Sequence, residues 1–380
     1  MDLSLSETQT MLQNTTKELM EKEMPKARVL EIDESPSGFA PDVWRKICEL
    51  GLPGMVIPEE YGGSGNSYTD LGVVYEVLGY YACPTPHLSS AVLCANAILE
   101  AGDSSQKKAL LPPIASGQQI FAFASTEPEY GWDPGLIQMQ ARRRNGTFVL
   151  NGTKLFVPDA NVADKLIVVA RTAKTQNPEN GLTLFVVDRA ARGVSVRVMT
   201  GWIGPKVCEI NFDNVEVPAS GVLGGVGRAW PAVEKAMDKA TVVLSAFMAG
   251  GTQKVYEMAR DYSQTRIAFG VPIGTFQRVQ DRVIDALNEA DATKWTTYEA
   301  LWQLDGGMAE APIGISMAKA VASVGFPKAC DASHHVHGGI GTDLEMGLTQ
   351  YTKRARTLQH YLGDAIYHRK RMARLMKLQG

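Results

Sequence analysis

The sequence predicts an α+β protein built as three consecutive blocks, helical, then β-rich, then helical. Three observations carry this expectation. Apolar residues recur at helical spacing before about residue 120 and again after about residue 229. Between them, six short β-prone runs are separated by turn residues within about 100 residues. A chain of 380 residues is long enough for two or three packed units. The expected boundaries are 1–120, 121–222 and 223–380.

In the first block, Ser6 with Gln9 three residues on reads as a capping box opening a helix. Asp70–Tyr80 and Ser89–Ala101 have helical apolar spacing, and Cys83-Pro84-Thr85-Pro86 breaks the chain between them. The glycines and prolines from Gly51 to Gly65 mark a loop-rich insert. The β-block holds Phe121–Ser125, Thr147–Leu150, Leu166–Ala170, Leu182–Val187, Val194–Val198 and Cys208–Phe212. Asn145-Gly146 and Asn151-Gly152 read as turns. In the last block Pro231–Ser263, Phe276–Leu304, Ile313–Gly325 and Pro327–His337 are long periodic segments, and a final helix is expected over Asp364–Leu378.

Apolar content of 45% and charged content of 21% are those of an ordinary globular chain. The net charge of −3 supplies no clustered basic excess, which argues against a nucleic-acid surface. Arg142-Arg143-Arg144 and Arg369-Lys370-Arg371 read as solvated faces. No run approaches 18 apolar residues, so no membrane insertion is expected. The polar first ten residues lack a signal pattern and the last four are not a peroxisomal address. The five scattered cysteines indicate neither a zinc site nor a disulfide framework, and a reducing cytoplasm is the expected location. The histidines around His335 lack carboxylate or cysteine partners, so no metal is expected.

Five segments stand out as candidate chemistry. Phe123-Ala124-Ser125-Thr126-Glu127-Pro128 continues to Gly131-Trp132-Asp133 as a Pro/Gly turn between strands. Lys154-Leu155-Phe156-Val157-Pro158 places an aromatic in a strand, where core packing is an equal reading. Arg266-Ile267-Ala268-Phe269-Gly270 is followed by Pro272-Ile273 and Phe276-Gln277. His335-Val336-His337-Gly338-Gly339 reads as a helix end with glycine. Tyr361-Leu362-Gly363-Asp364 precedes the final helix.

Taken together these segments closely resemble the flavin-dependent acyl-CoA dehydrogenases, and the resemblance covers the whole chain. It implies an N-terminal all-α domain, a middle β-barrel-like domain and a C-terminal four-helix-bundle domain. It implies FAD as cofactor and an acyl-CoA thioester as substrate. An electron-transfer flavoprotein or similar acceptor is the implied redox partner, and a homotetramer, or a heterotetramer with a paralogous subunit, is the implied assembly. Phe123, Ser125, Thr126, Gly131 and Trp132 match the loop whose Thr hydroxyl and amides meet the flavin edge, Trp132 standing where Ser usually touches the pyrophosphate. Phe156 matches the aromatic packed on the ring. Pro158 replaces a Thr that reaches the N5 region and has no N–H to offer instead. Arg266, Phe269 and Gln277 match the motif that holds the FAD diphosphate across a subunit interface. His335, Gly338 and Gly339 match the Gln-x-x-Gly-Gly turn against the adenosine part. Asp364 takes the place of a cofactor-facing Thr.

The resemblance departs at the base. The family usually reads Tyr-Glu-Gly-Thr, with Glu removing the substrate's α-proton, and here that position is Leu362. The alternative base position, on the first long helix of the last block, is Ala240. Asp238 lies about 200° around that helix from it. A backbone N–H at Leu362 still serves to polarise the thioester carbonyl. Three readings follow: an oxidoreductase of the α,β C–C bond with a non-standard base, a non-catalytic or FAD-completing subunit of a heteromeric enzyme, and a related CoA-thioester lyase.

Overall fold

A computed structural model describes residues 4–201 and 206–378. In chain order the helices before the sheet are α1 (Glu7–Glu23), α2 (Lys26–Glu34), α3 (Pro41–Glu49), α4 (Tyr68–Tyr80), α5 (Ala95–Ala101) and α6 (Ser104–Ala115). Strands β1 (Phe121–Ala124), β2 (Gln140–Arg144), β3 (Thr147–Pro158), β4 (Lys165–Arg171), β5 (Leu182–Asp188), β6 (Val194–Val198), β7 (Val207–Pro218) and β8 (Val222–Leu223) follow. Then come α7 (Trp230–Thr265), the hairpin strands β9 (Ile267–Ala268) and β10 (Val271–Pro272), α8 (Gln277–Asp305), α9 (Ala311–His337), α10 (Leu348–Leu358) and α11 (Ala365–Leu375). The helix–sheet–helix order is the one read from the sequence. The chain divides into two compact units: residues 1–34, 67–83 and 241–380 form one, and residues 35–66 and 84–240 the other.

The first unit is helical. Ser6 accepts from Gln9 N while Gln9 Oε1 accepts from Ser6 N, the expected capping box of α1. Gly79 and Gly250 let α4 and α7 cross closely, since a Cβ on either would lie 1.8 Å from the partner helix's carbonyl oxygen. Buried Glu76 of α4 accepts from Lys294 Nζ at 2.9 Å and Tyr298 OH at 2.6 Å, both on α8. Arg354 of α10 makes a bidentate pair with Asp33 of α2, at 2.7 and 2.9 Å, with both groups buried. The two segments expected at Ile313–Gly325 and Pro327–His337 are one helix. Pro327 removes a single N–H, and the buried helix runs through it because most of its residues are packed in the core. The last helix ends at Leu375, short of the expected Leu378.

The second unit is a mixed sheet with short helices. Its strand order is β6-β7-β3-β2-β4-β5-β8, with β1 added to β4. β1 and β2 pair β4 in parallel and the remaining neighbours are antiparallel. β1 and nearly all of β4 are buried residue after residue, the pattern of strands covered on both faces. Asn145 and Gly146, at φ 48° and 82°, form the expected tight turn between β2 and β3. The second expected turn is absent. Asn151-Gly152 lies inside β3, where the register against β7 slips between Leu150 and Gly152, so the glycine marks a bulge. β2 has no counterpart among the expected strands, since Arg142–Arg144 carries no apolar alternation and only Ala141 of the strand is buried. The Ser89–Ala101 helix begins as a π-helical stretch, Leu88–Cys94, before α5.

Candidate functional site

In the sheet unit, the Phe123–Trp132 loop leaves the end of β1 and is tied down from beneath. Lys154, fully buried on β3, donates from Nζ to Ser125 O at 2.9 Å and to Glu127 Oε1 at 2.7 Å. Glu127 also accepts from the Gln138 and Met139 amides. Leu155 N donates to Thr126 O at 2.9 Å, which ties the loop to the backbone of β3. Burial pushes the Lys154 ammonium down to about 8, with Glu127 opposing that shift. Phe123 and Thr126 are buried, Ser125, Gly131 and Trp132 half-buried.

A second slip in β3, between Lys154 and Val157, turns Phe156 outward. Phe156 takes φ 54°, unusual for a residue with a side chain, and stays 40% exposed. Its ring meets Tyr130 edge-on at 5.5 Å, giving two exposed aromatics beside the loop. Pro158 is buried at the strand end. Next to it Asp159, also at positive φ, accepts a hydrogen bond from Ser89 Oγ. Burial raises that carboxyl to about 7, against the lowering effect of Ser89.

In the helical unit, the Arg266 motif forms the β9–β10 hairpin. Phe269 and Gly270, at φ 53° and 81°, make its turn, and Phe269 is 96% exposed. Arg266 and Gln277 are exposed at the two feet of this segment, Gln277 as the first residue of α8. Among the described residues Arg266 forms no ion pair within the chain. His335, Gly338 and Gly339 are exposed at the end of α9, and a Cβ built on either glycine would touch nothing. The ends of α7 and α9 meet where Tyr262 stacks on His337, with ring centroids 4.5 Å apart. That contact brings the arginine and double-glycine motifs to neighbouring helix ends.

Leu362 lies in the loop between α10 and α11. It is 1% exposed and held at φ 58°. A left-handed leucine is disfavoured by roughly 1–2 kcal/mol, so its surroundings must impose the conformation. Its carbonyl accepts from His368 Nε2 at 2.9 Å, while among the described residues its N–H meets no acceptor. Gly363 follows at φ 100°, where a side chain would strike the Tyr367 and His368 rings. Lys319 of α9, buried completely, donates to the carbonyls of Leu358, Gln359 and Gly363 at 3.0, 3.2 and 2.9 Å, and to Ser323 Oγ. Burial drives the Lys319 ammonium down to about 7, opposed by Asp364, and the His368 imidazole to about 3, assisted by the Lys319 charge. Asp364 caps α11, accepting from Tyr367 N at 2.8 Å. Ala240, on α7, has no exposed surface. Both positions matched to a base thus hold buried alkyl groups.

The sequence alone assigns no role to Lys154, Lys319 or Asp159. Lys319 had a signal, a lone cation within the small apolar run Ala318–Val321 of a periodic helix. The other two were charged residues in strand-like text with nothing to distinguish them from a solvated face.

Residues 6–118, 122–215 and 227–377 match the N-terminal, middle and C-terminal domain families of acyl-CoA dehydrogenase. The mitochondrial isovaleryl-CoA dehydrogenase of Pongo abelii is 30% identical over 311 residues, 80% of this chain and 73% of that protein. The chain belongs to the acyl-CoA dehydrogenase family. Membership makes it a flavoenzyme oxidoreductase with FAD as cofactor. Its fold superposes on "Structure of the glutaryl-coenzyme A dehydrogenase glutaryl-CoA complex" with TM-score 0.92 and 26% identity, over 100% of this chain and 98% of the other. It also superposes on a chain of "Electron transferring flavoprotein of Acidaminococcus fermentans: Towards a mechanism of flavin-based electron bifurcation", with TM-score 0.93 and 27% identity over 100% of both chains. Among the described residues no helix is long and apolar enough to cross a membrane. Nor is any group of three or more His, Cys, Asp or Glu side chains gathered as a metal site among them.

Proposed function

We propose that this acyl-CoA dehydrogenase family member acts on the α,β C–C bond of an acyl-CoA thioester, with the Leu362 N–H as a donor to the thioester carbonyl. The observation that carries this reading is the Leu362 turn. A buried leucine is forced into a left-handed conformation, and among the described residues its amide is left without an acceptor. Buried N–H groups are rarely left unpaired, so such an amide points to an acceptor brought by a ligand. A carbonyl that gains enolate character at the α-carbon is the kind of acceptor a pre-aimed amide stabilises.

The residues present fit FAD. Thr126 and the loop amides supply donors for the ring edge, Phe156 an aromatic face, Arg266 with Gln277 the diphosphate contacts, and the bare Gly338–Gly339 backbone an adenosine surface. FAD supplies the hydride-accepting ring; the chain orients it and holds the thioester. The exposed hairpin around Phe269 supports an assembly in which another copy, or a paralogous subunit, covers it. An electron-transfer flavoprotein is the proposed acceptor, in keeping with the A. fermentans likeness.

One observation favours a second reading. Leu362 and Ala240 leave both base positions without a proton acceptor. A chain so equipped suits a heteromeric assembly in which an unlike subunit carries the base. The experiment is to purify the chain alone and titrate it anaerobically with acyl-CoA thioesters. A yellow protein bleached by one of them supports the first reading. A colourless protein that binds flavin only with a co-expressed partner supports the second. A chain that takes up neither flavin nor thioester, alone or partnered, overturns both.

A further inference from the structure

We infer that Lys319 and His368 are positioning residues that aim the Leu362 N–H, by holding the carbonyls of Leu362 and Gly363 that directly follow it. The inference rests on the reading of that N–H as the donor to the thioester carbonyl.

The geometry is specific. His368 Nε2 lies 2.9 Å from Leu362 O, and Lys319 Nζ lies 2.9 Å from Gly363 O. The same ammonium gathers Leu358 O and Gln359 O from the end of α10. One cation from α9 therefore ties the last turn of α10 to the turn before α11, and one imidazole from α11 closes the loop from its other side. Both groups are essentially withdrawn from solvent, at 0% and 2% exposure. The Leu362–Gly363 peptide is held at both ends, its carbonyl by His368 and its N–H by His360 O at 3.2 Å, so Leu362 at φ 58° has little freedom to swing the N–H on its other side. Among the described residues Leu362 has its carbonyl bound and no acceptor at its amide.

The chemistry assigns protonation as well as place. Leu362 O accepts only, so the imidazole must carry its proton on Nε2. Among the described residues its buried Nδ1 has no hydrogen-bond partner, which an uncharged ring tolerates far better than an imidazolium. The depressed affinity of His368 for a second proton agrees with an uncharged ring. Lys319 is compensated by carbonyl dipoles at a helix C-terminus, the end that favours a cation. Neither side chain has surface left for substrate, so their effect on the reaction passes through the backbone of residue 362.

The test separates carbonyl recognition from general binding. Wild-type holoenzyme is titrated by calorimetry with thioesters that carry no α-hydrogen, pivaloyl-CoA and benzoyl-CoA, so that binding is read without turnover. Each is paired with the thioether in which a methylene replaces the carbonyl, S-neopentyl-CoA and S-benzyl-CoA. One backbone hydrogen bond predicts a thioester preference of about 2–10-fold. Lys319→Met and His368→Leu are expected to erase the preference while leaving thioether affinity unchanged. His368→Gln, whose amide can still donate to Leu362 O, is expected to restore it. If Lys319→Met does not fold, the contrast between His368→Leu and His368→Gln decides. Retention of the preference in His368→Leu, or an equal fall in thioester and thioether affinity, overturns the positioning role. A wild type with no thioester preference in any pair removes the underlying reading of the Leu362 N–H, and the inference with it.

Discussion

The Lys154 ammonium stands 2.7 Å from Glu127 Oε1, with both side chains withdrawn from solvent beneath the Ser125–Thr126 turn. A buried pair of this kind is costly to break on one side only, because the remaining charge has no compensation. Lys154→Met is expected to destabilise the protein by about 3–5 kcal/mol, and adding Glu127→Gln should recover part of that loss. Urea unfolding of the two variants checks it. A single variant within about 1 kcal/mol of wild type would show that Glu127 is adequately held by the Gln138 and Met139 amides alone.

Arg266 is an exposed cation at the foot of a short hairpin, where a purely structural arginine would have a partner. If it holds the FAD diphosphate, Arg266→Ala should weaken flavin binding by roughly 1.5–3 kcal/mol, the range for a hydrogen bond to a charged group. Flavin should then be lost on gel filtration. Stoichiometric FAD retained through the column would remove Arg266 from the cofactor site.

Phe269 projects from the same hairpin at 96% exposure, with Ile267 at 54% beside it. A charge at that tip cannot be buried cheaply in an interface. Phe269→Asp should lower the oligomeric state in sedimentation velocity and, in parallel, the bound flavin. An unchanged assembly would place the interface elsewhere.

The architecture was legible because each block carried its own periodicity, and hairpin chemistry such as Asn145-Gly146 fixed one turn outright. Asn151-Gly152 misled because a bulge and a turn ask the same freedom of a glycine, and only the partner strand distinguishes them. The candidate site was readable only as a set of segments that resemble the family's motifs. The supports of those motifs were not. Lys319 stood out only as a lone cation in an apolar run; it and His368 bond carbonyls 39–44 and six residues away in sequence, and nothing in local spacing announces such bonds.

His368 gives the fold an acid-sensitive element. Its folded-state affinity for a proton falls from the ordinary 6.5 to about 3. Between those values the unfolded chain binds the proton and the native chain does not, so stability is lost as pH falls from 6.5 toward 3. The full effect is at most one proton, about 1.4 kcal/mol per pH unit. His368→Gln should flatten the stability profile across that window by up to this slope, although His87, pushed down to about 4, continues to contribute. An unchanged slope by urea unfolding at several pH values would mean that His368 titrates normally.

Leu362 offers the sharpest test, because its side chain and its backbone are predicted to do different things. The side chain fills the core at 1% exposure, so Leu362→Ala should cost about 2–5 kcal/mol of stability. Turnover should change little, since alanine presents the same N–H. Leu362→Glu asks the opposite question. A placed base typically contributes about 10²–10⁴-fold to a proton-transfer step. If the chain lacks only that base, anaerobic flavin reduction by saturated straight-chain acyl-CoAs should accelerate by such a factor in Leu362→Glu over wild type. Rapid reduction of the wild type by a plain straight-chain acyl-CoA would show that another group already removes the α-proton. The alkyl groups at positions 362 and 240 would then mark a relocated base and not a missing one.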